Sequence, residues 1–223
     1  MQLIGVCNHN MAIKISLVYI SCLDESMMKW ANKYSYPGFM FVLRKSWPFL
    51  NECHTIACSN FGILFFVESV EGKGAPAERP PPPPSILIGK TGSLILRLTK
   101  KLHGTGKILV LDSGSCVLQG LVDIKKKGIY GATIGKKRRY FPRYINGEKI
   151  KPHFTDKAMG AVDALHDELE NVPLCVFAMK EEGCDMMIMS THETNKRVCN
   201  YKFRTIGGKR ISSRYPETMH NHY

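Results

Sequence analysis

No CxxC pair occurs in this 223-residue sequence. The eight of them, Cys7, Cys22, Cys53, Cys58, Cys116, Cys175, Cys184 and Cys199, are scattered without the dense spacing of a disulfide-built domain. That excludes a zinc ribbon and a small secreted scaffold, and the thiols are expected to be reduced and mostly buried. Cys53, His54 and Cys58 stand close enough to suggest zinc, but a tetrahedral site needs a second ligand pair and none follows at suitable spacing. His220 and His222 have no partner nearby and read as a solvated tail. No run reaches the roughly 18 apolar residues of a membrane span. The apolar stretches of the first 22 residues lack a basic segment before them and are broken by Asn8, His9, Asn10 and Lys14, so no signal peptide is expected. The expectation is a soluble, intracellular protein without a membrane partner, the nucleus being a compatible compartment.

Acidic residues are also scarce, with 19 Asp+Glu against 31 Lys+Arg and a formal charge of +12. Such an excess favours a polyanionic partner, nucleic acid first and an anionic membrane second. The length and the 44% hydrophobic content suit one main domain with a single sizeable core.

What is present reads as α/β. KISLVYISCL (14–23) has the β-branched, apolar character of a buried strand with Asp24 and Glu25 at its end, and ILFFV (63–67) reads as a second strand. GKGAPAERPPPPPS (72–85) is a Pro-rich loop, because proline neither donates to a sheet ladder nor sits inside a helix; a spacer is the simpler reading, a docking site for a proline-binding module the sharper one. Leu94, Ile95, Leu98 and Leu102 recur at helical spacing before a turn at Gly104 and Gly106. KILVLD (107–112) is a short apolar strand ending in Asp112. A helical pattern through Val117, Leu118, Leu121 and Val122 and the strand GIYGATI (128–134) follow it, which predicts a βαβ crossover and a partly parallel sheet. A helix is expected over 157–169, then strands at 174–179 and 185–190 around a hairpin turn at Glu181, Glu182 and Gly183. From His192 to Tyr223 the sequence is polar and basic with weak periodicity.

Two motifs fail on inspection. GKTGS (89–93) lacks the upstream glycine of a phosphate loop, having Pro84 there, and KGIYGATI (127–134) lacks the stacking aromatics of an RNA-recognition strand. Asp24 and Asp112 remain, each at the end of an apolar strand. Side by side, such carboxylates repel unless a cation lies between them. Two Mg²⁺ ions about 3.5–4 Å apart can then activate a nucleophile and stabilise the leaving oxygen of a phosphodiester. Either residue alone is also explained as a turn cap. Lys125, Lys126, Lys127, Lys136, Lys137, Arg138 and Arg139 flank one strand, with Tyr130, Tyr140, Phe141 and Tyr144 interleaved. Cations neutralise phosphates and aromatic faces stack on bases, so this composition suits a DNA-holding surface beside a nuclease site; a solvated basic face is the plainer alternative.

From about Ser21 to Tyr223 the order of these features resembles the piggyBac family of DNA transposases. CLDESM (22–27) is similar to the family's Asp-Glu motif, Arg44, Lys45 and Pro48 to its Arg/Lys-Pro element, and VLDSG (110–114) to its second aspartate motif. ATIGKKRRYFP (132–142) is similar to the basic segment after that motif, and CVFAMKEEGCDMMIMSTH (175–192) to the paired strands that come next. The resemblance implies a ribonuclease-H-like mixed sheet flanked by helices, incomplete at the C-terminus. It makes residues 1–20 a non-matching segment with the start of the first strand, and 21–223 a partial catalytic domain. Asp24 and Asp112 become the first two catalytic and metal-binding acids, Mg²⁺ the cofactor and DNA the partner, with Lys125 to Lys127 and Lys136 to Tyr140 on the DNA. The family's aromatic residues after the second aspartate are here Ser113, Gly114 and Ser115. Its long N-terminal region and cysteine-rich end have no counterpart, so a homodimer would lack those regions.

The family's third aspartate follows a segment that RYPETMHNHY (214–223) resembles, and it is expected to be missing. MGAVDALHD (159–167) imitates the motif at Asp163, but it precedes the paired strands and reads as an ordinary amphipathic helix through Met159, Val162, Leu165 and Leu169. The expectation is therefore a truncated, DDE-type transposase fragment, inactive alone. A non-catalytic DNA- or chromatin-binding module and an inert remnant are the competing expectations.

Overall fold

The computed structural model describes residues 2–16, 19–29, 39–41, 43, 49–59, 62–70, 89–135, 154–181, 184–192, 202–206 and 209–213. The chain opens with helix α1 (Gln2–Lys14) and continues through strands β1 (Ile20–Lys29), β2 (Phe39–Phe41), β3 (Phe49–Cys58) and β4 (Leu64–Ser69). Helix α2 (Gly89–Leu98), strand β5 (Ile108–Leu111), helix α3 (Leu118–Lys126) and strand β6 (Tyr130–Ile134) follow, then β7 (Val162–Leu169), β8 (Val172–Glu181) and β9 (Cys184–Ser190). A separate antiparallel pair, β10 (Lys202–Ile206) and β11 (Lys209–Ser213), completes the described elements. The Pro-rich 72–85 segment, the basic run from Lys136 onward and RYPETMHNHY lie outside the described residues.

Nine strands form one mixed sheet in the order β2-β3-β1-β5-β6-β9-β8-β7, with β4 on β3. β2 pairs with residues 49–51 of β3 and β4 with residues 53–57, while β1 takes the opposite side of β3. β1, β5 and β6 are mutually parallel, and β3, β4, β9, β8 and β7 are added antiparallel. The expected βαβ crossover is therefore present, and the run β4-β3-β1-β5-β6 with α2 and α3 is a ribonuclease-H-like arrangement. α2 and α3 supply the apolar layer on one sheet face. Ile95 and Leu98 of α2 and Leu121 and Ile124 of α3 are buried with Leu23, Ile56, Leu109, Leu111 and Met189.

α3 ends for a specific reason. Gly128 takes φ +75°, and Ile129 N–H donates to Ile124 C=O at 3.0 Å while Gly128 N–H donates to Lys125 C=O at 2.9 Å. This is a Schellman cap, with the apolar contact between Ile129 and Ile124 that accompanies it. Beneath α3, Gly131 of β6 leaves no room for a side chain, since a Cβ there would stand 2.6 Å from Leu121 Cδ2 and 2.7 Å from Ile124 Cδ1. Gly131→Val is therefore expected to lift α3 from the sheet at a cost of about 1–3 kcal/mol, read as a lower urea midpoint with an unchanged slope.

Three sequence expectations are corrected. The first strand begins at Ile20, not near Lys14, because residues 2–14 form α1. Asp24 consequently lies within β1 and not at its end. Residues 162–169 are a strand, not a helix: Val162 pairs with Met179 and Leu169 with Val172, across a tight turn in which Glu170 and Asn171 both take positive φ, 53° and 60°. That turn geometry matches the twist of a hairpin and draws the segment into the sheet.

α1 has no apolar stripe and is fastened by a polar contact. The Asn8 side chain donates to Val67 C=O at 2.8 Å and accepts from Val67 N–H at 2.9 Å, while Ala12 and Ile15 pack on the core.

Candidate functional site

The parallel register of β1 and β5 brings the two aspartates to neighbouring positions. The last paired couple is Leu23 with Leu111; β1 runs on to Lys29 along β3, whereas β5 stops, and Asp24 and Asp112 are the next residue on each strand. Leu23 and Leu111 point to the helices, so Asp24 belongs to the opposite face, which it shares with Cys22 by strand alternation. Burial, then the negative charges of Asp24 and Asp112, push the Cys22 thiol above its ordinary pKa.

Each carboxylate is held by one oxygen. Glu25 N–H donates to Asp24 Oδ1 at 2.7 Å, and Ser115 N–H donates to Asp112 Oδ1 at 2.9 Å, so Asp112 is the N-cap of the 3-10 turn Ser113–Ser115. Thr55 Oγ1 donates to the Asp24 carbonyl at 3.2 Å and Thr133 Oγ1 to the Asp112 carbonyl at 3.1 Å, so β3 and β6 brace the two backbones. The departure at Ser113, Gly114 and Ser115 has a local rationale: a Cβ at Gly114 would lie 3.1 Å from Asp112 Oδ1 and 3.2 Å from Oδ2.

The structure separates the other expected residues. Asp163 sits on the edge strand β7, bonded to Lys157 Nζ at 2.9 Å, and four strand spacings of about 4.8 Å lie between β7 and β5. Lys125, Lys126 and Lys127 close α3 and precede β6, which puts them at the end of the parallel strands opposite to Asp112 rather than beside it. Lys136, Lys137, Arg138, Arg139 and Tyr140 follow β6 directly in sequence and lie outside the described residues. Ser190, Thr191 and His192 end the paired strands in a structural way. Thr191 Oγ1 accepts from Gly131 N–H at 2.9 Å, and Thr191 N–H donates to Gly131 C=O at 2.9 Å.

A second polar group was not foreseen. On the helix-side face, Glu25 stands opposite His54 and Glu52 lies two residues along β3; their ligand-type atoms all lie within 4.8 Å of one another. The row continues to Glu68 of β4, which Arg97 of α2 binds at 2.7 Å. Cys53, read with His54 in the sequence, is buried and by alternation faces the other way. The missing signal was β3 itself: with Asn51, Glu52, His54 and Thr55 among its apolar residues, it shows no clean alternation.

Comparison with known proteins gives two findings. The family described as Transposase IS4 matches residues 1–223. A solved structure, a cryo-EM piggyBac transposase synaptic complex with hairpin DNA, superposes with a TM-score of 0.65 at 11% identity, covering 96% of this chain and 39% of that one. At that identity the likeness speaks for the fold, and the chain spans well under half of the protein it matches. No curated protein matches the sequence.

Proposed function

The chain belongs to the Transposase IS4 family, and from that premise we propose that it is part of the catalytic domain of a DDE-type, piggyBac-like transposase, binding DNA and holding Mg²⁺ between Asp24 and Asp112. The observation that carries this reading is the placement of the two aspartates on adjacent parallel strands, one residue past their last paired couple. The donor set fits a hard cation: both are carboxylates, each tethered through Oδ1 to a backbone N–H, with no hydrogen bond to Oδ2 among the described residues. The metal would supply activation of a water or 3′ hydroxyl and stabilisation of the leaving oxygen at a phosphodiester.

The chain's own part is positioning. Ser115 N–H and Glu25 N–H fix the carboxylates, Gly114 leaves room beside Asp112, and the thiol of Cys22, on the same sheet face as Asp24, is held above its ordinary pKa. Lys136, Lys137, Arg138, Arg139 and Tyr140, which follow β6 in sequence, would hold the backbone of the DNA being cut. The resemblance implies three acids, Asp24 and Asp112 being the first two, and because Mg²⁺ demands a near-ideal octahedron each should matter strongly to metal binding.

The test is nicking of supercoiled plasmid with Mn²⁺ or Mg²⁺. Slow metal-dependent nicking that vanishes in Asp24→Asn is the expected result. DNA binding with no nicking in either metal would replace the enzyme reading with a non-catalytic DNA-binding module, and nicking unaffected by Asp24→Asn would remove the site.

A further inference from the structure

The lysines displaced from the aspartates are gathered elsewhere. Three segments bring them to the far end of the parallel strands: Lys100 and Lys101 in the 3-10 turn after α2, Lys107 ahead of β5, and Lys125, Lys126 and Lys127 at the close of α3. Backbone bonds hold the segments together. Gly104 N–H donates to Lys127 C=O at 2.8 Å, Gly106 N–H to Gly128 C=O at 2.9 Å, and Tyr130 N–H to Lys107 C=O at 2.9 Å. His103 lies among them; burial, then the charges of Lys127 and Lys100, hold its imidazole below its ordinary pKa.

Lys100, Lys101, Lys126 and Lys127 are exposed. Lys125 Nζ stands 3.6 Å from the centre of the Tyr130 ring, which meets His192 edge-on at 4.9 Å, and the half-exposed Tyr19 hydroxyl lies 3.3 Å from His192 Nε2. The acids nearby are Glu170, in an ion pair with Lys126 at 2.5 Å, and the half-buried Asp123. Helix C-termini attract lysines, and each of the two here offsets only about half a charge, so roughly three positive charges stay in excess. Gly104 and Gly106 leave the middle of the patch open, since a Cβ on either would meet nothing within 4 Å.

We propose that this end of the sheet is a second DNA-contact surface, which grips the phosphodiester backbone of a segment flanking the one at Asp24 and Asp112. It rests on the DNA-binding reading given above. β5 alone, four residues at about 3.3 Å each, separates the patch from Asp112, so the phosphate that meets Lys127 is not the phosphate beside the aspartates. Charge complementarity selects the partner, and the exposed aromatic rim suits DNA backbone better than a bare anion.

The experiment is DNA affinity against salt for the full chain, on duplex and on single-stranded oligonucleotides, for the native protein and for the triple variant Lys100→Gln, Lys101→Gln, Lys127→Gln. Lys157→Gln, beside the edge strand β7, controls for loss of charge. The log-log salt slope is expected to fall by about 0.9 per lost lysine contact on duplex, or about 0.7 on a single strand, so the pair of substrates identifies which form is held. Lys157→Gln should leave the slope unchanged, and the triple variant should melt like the native protein. Native binding with an unchanged slope in the triple variant overturns the patch and leaves the DNA-binding reading intact. Absence of salt-sensitive binding by the native protein overturns both.

Discussion

Asp112→Asn is expected to weaken Mn²⁺ binding more than about 100-fold while leaving the metal-free protein as stable as before. Loss of an outer partner of a metal ligand already costs about 10–100-fold, and a ligand itself should cost at least the upper end of that range. The stability half of the prediction comes from the cap. Asparagine keeps an oxygen that accepts from Ser115 N–H, so the 3-10 turn after β5 is preserved. Asp112→Ala removes metal ligand and cap together, and should cost a further 0.5–2 kcal/mol or so in metal-free unfolding. Mn²⁺ titration followed by electron paramagnetic resonance, with urea unfolding of both variants, separates the two roles. Native-like Mn²⁺ affinity in Asp112→Asn would mean that the carboxylate serves only as a turn cap.

Phe177→Ala should be the most damaging core substitution, at about 3–5 kcal/mol. Phe177 is 0% exposed at the centre of β8, packed with Cys175, Met179 and Ile188 and flanked by Val162, Ala164 and Met186. It pairs with Ala164 on one side and Ile188 on the other, so its ring ties β7 and β9 together. In a domain of this size each kcal/mol lowers Tm by about 2–4 °C, which predicts a drop of at least about 6 °C by calorimetry. Burial alone pushes the neighbouring Cys175 thiol up to about 12. A loss under about 1 kcal/mol would show that β7 to β9 fold independently of that ring.

The sequence revealed most where local pattern and tertiary role agree. β5, α3 and β6 are each short, apolar and bounded by turn residues, and the crossover between them was legible because nothing competes with that reading. Asp112 could be placed for the same reason. The position of Asp24 within its strand was not legible, since strand continuation to Lys29 depends on pairing with β3, a partner invisible in local sequence. β7 was misread because Met159, Val162, Leu165 and Leu169 mimic a helical stripe; in the sheet Leu165 is 59% exposed, so the apparent stripe is not a buried face. α1 was unreadable because its side chains make no stripe, and Val6 and Ile13 remain exposed. The lysines at 125–127 are adjacent in sequence, yet only the chain direction of α3 and β6 shows which end of the sheet they occupy.

The Asn8 clasp on Val67 bears on how the protein would behave in a crowded solution. A strand such as LFFVES offers its outer N–H and C=O groups to any extended chain that drifts past, which is how aggregates are seeded. By occupying both groups of Val67, one side-chain amide imitates the neighbour that β4 would otherwise recruit. A version trimmed to begin at β1 would keep both aspartates and the paired strands of the core, yet expose that edge, and its first failure would be precipitation rather than loss of chemistry.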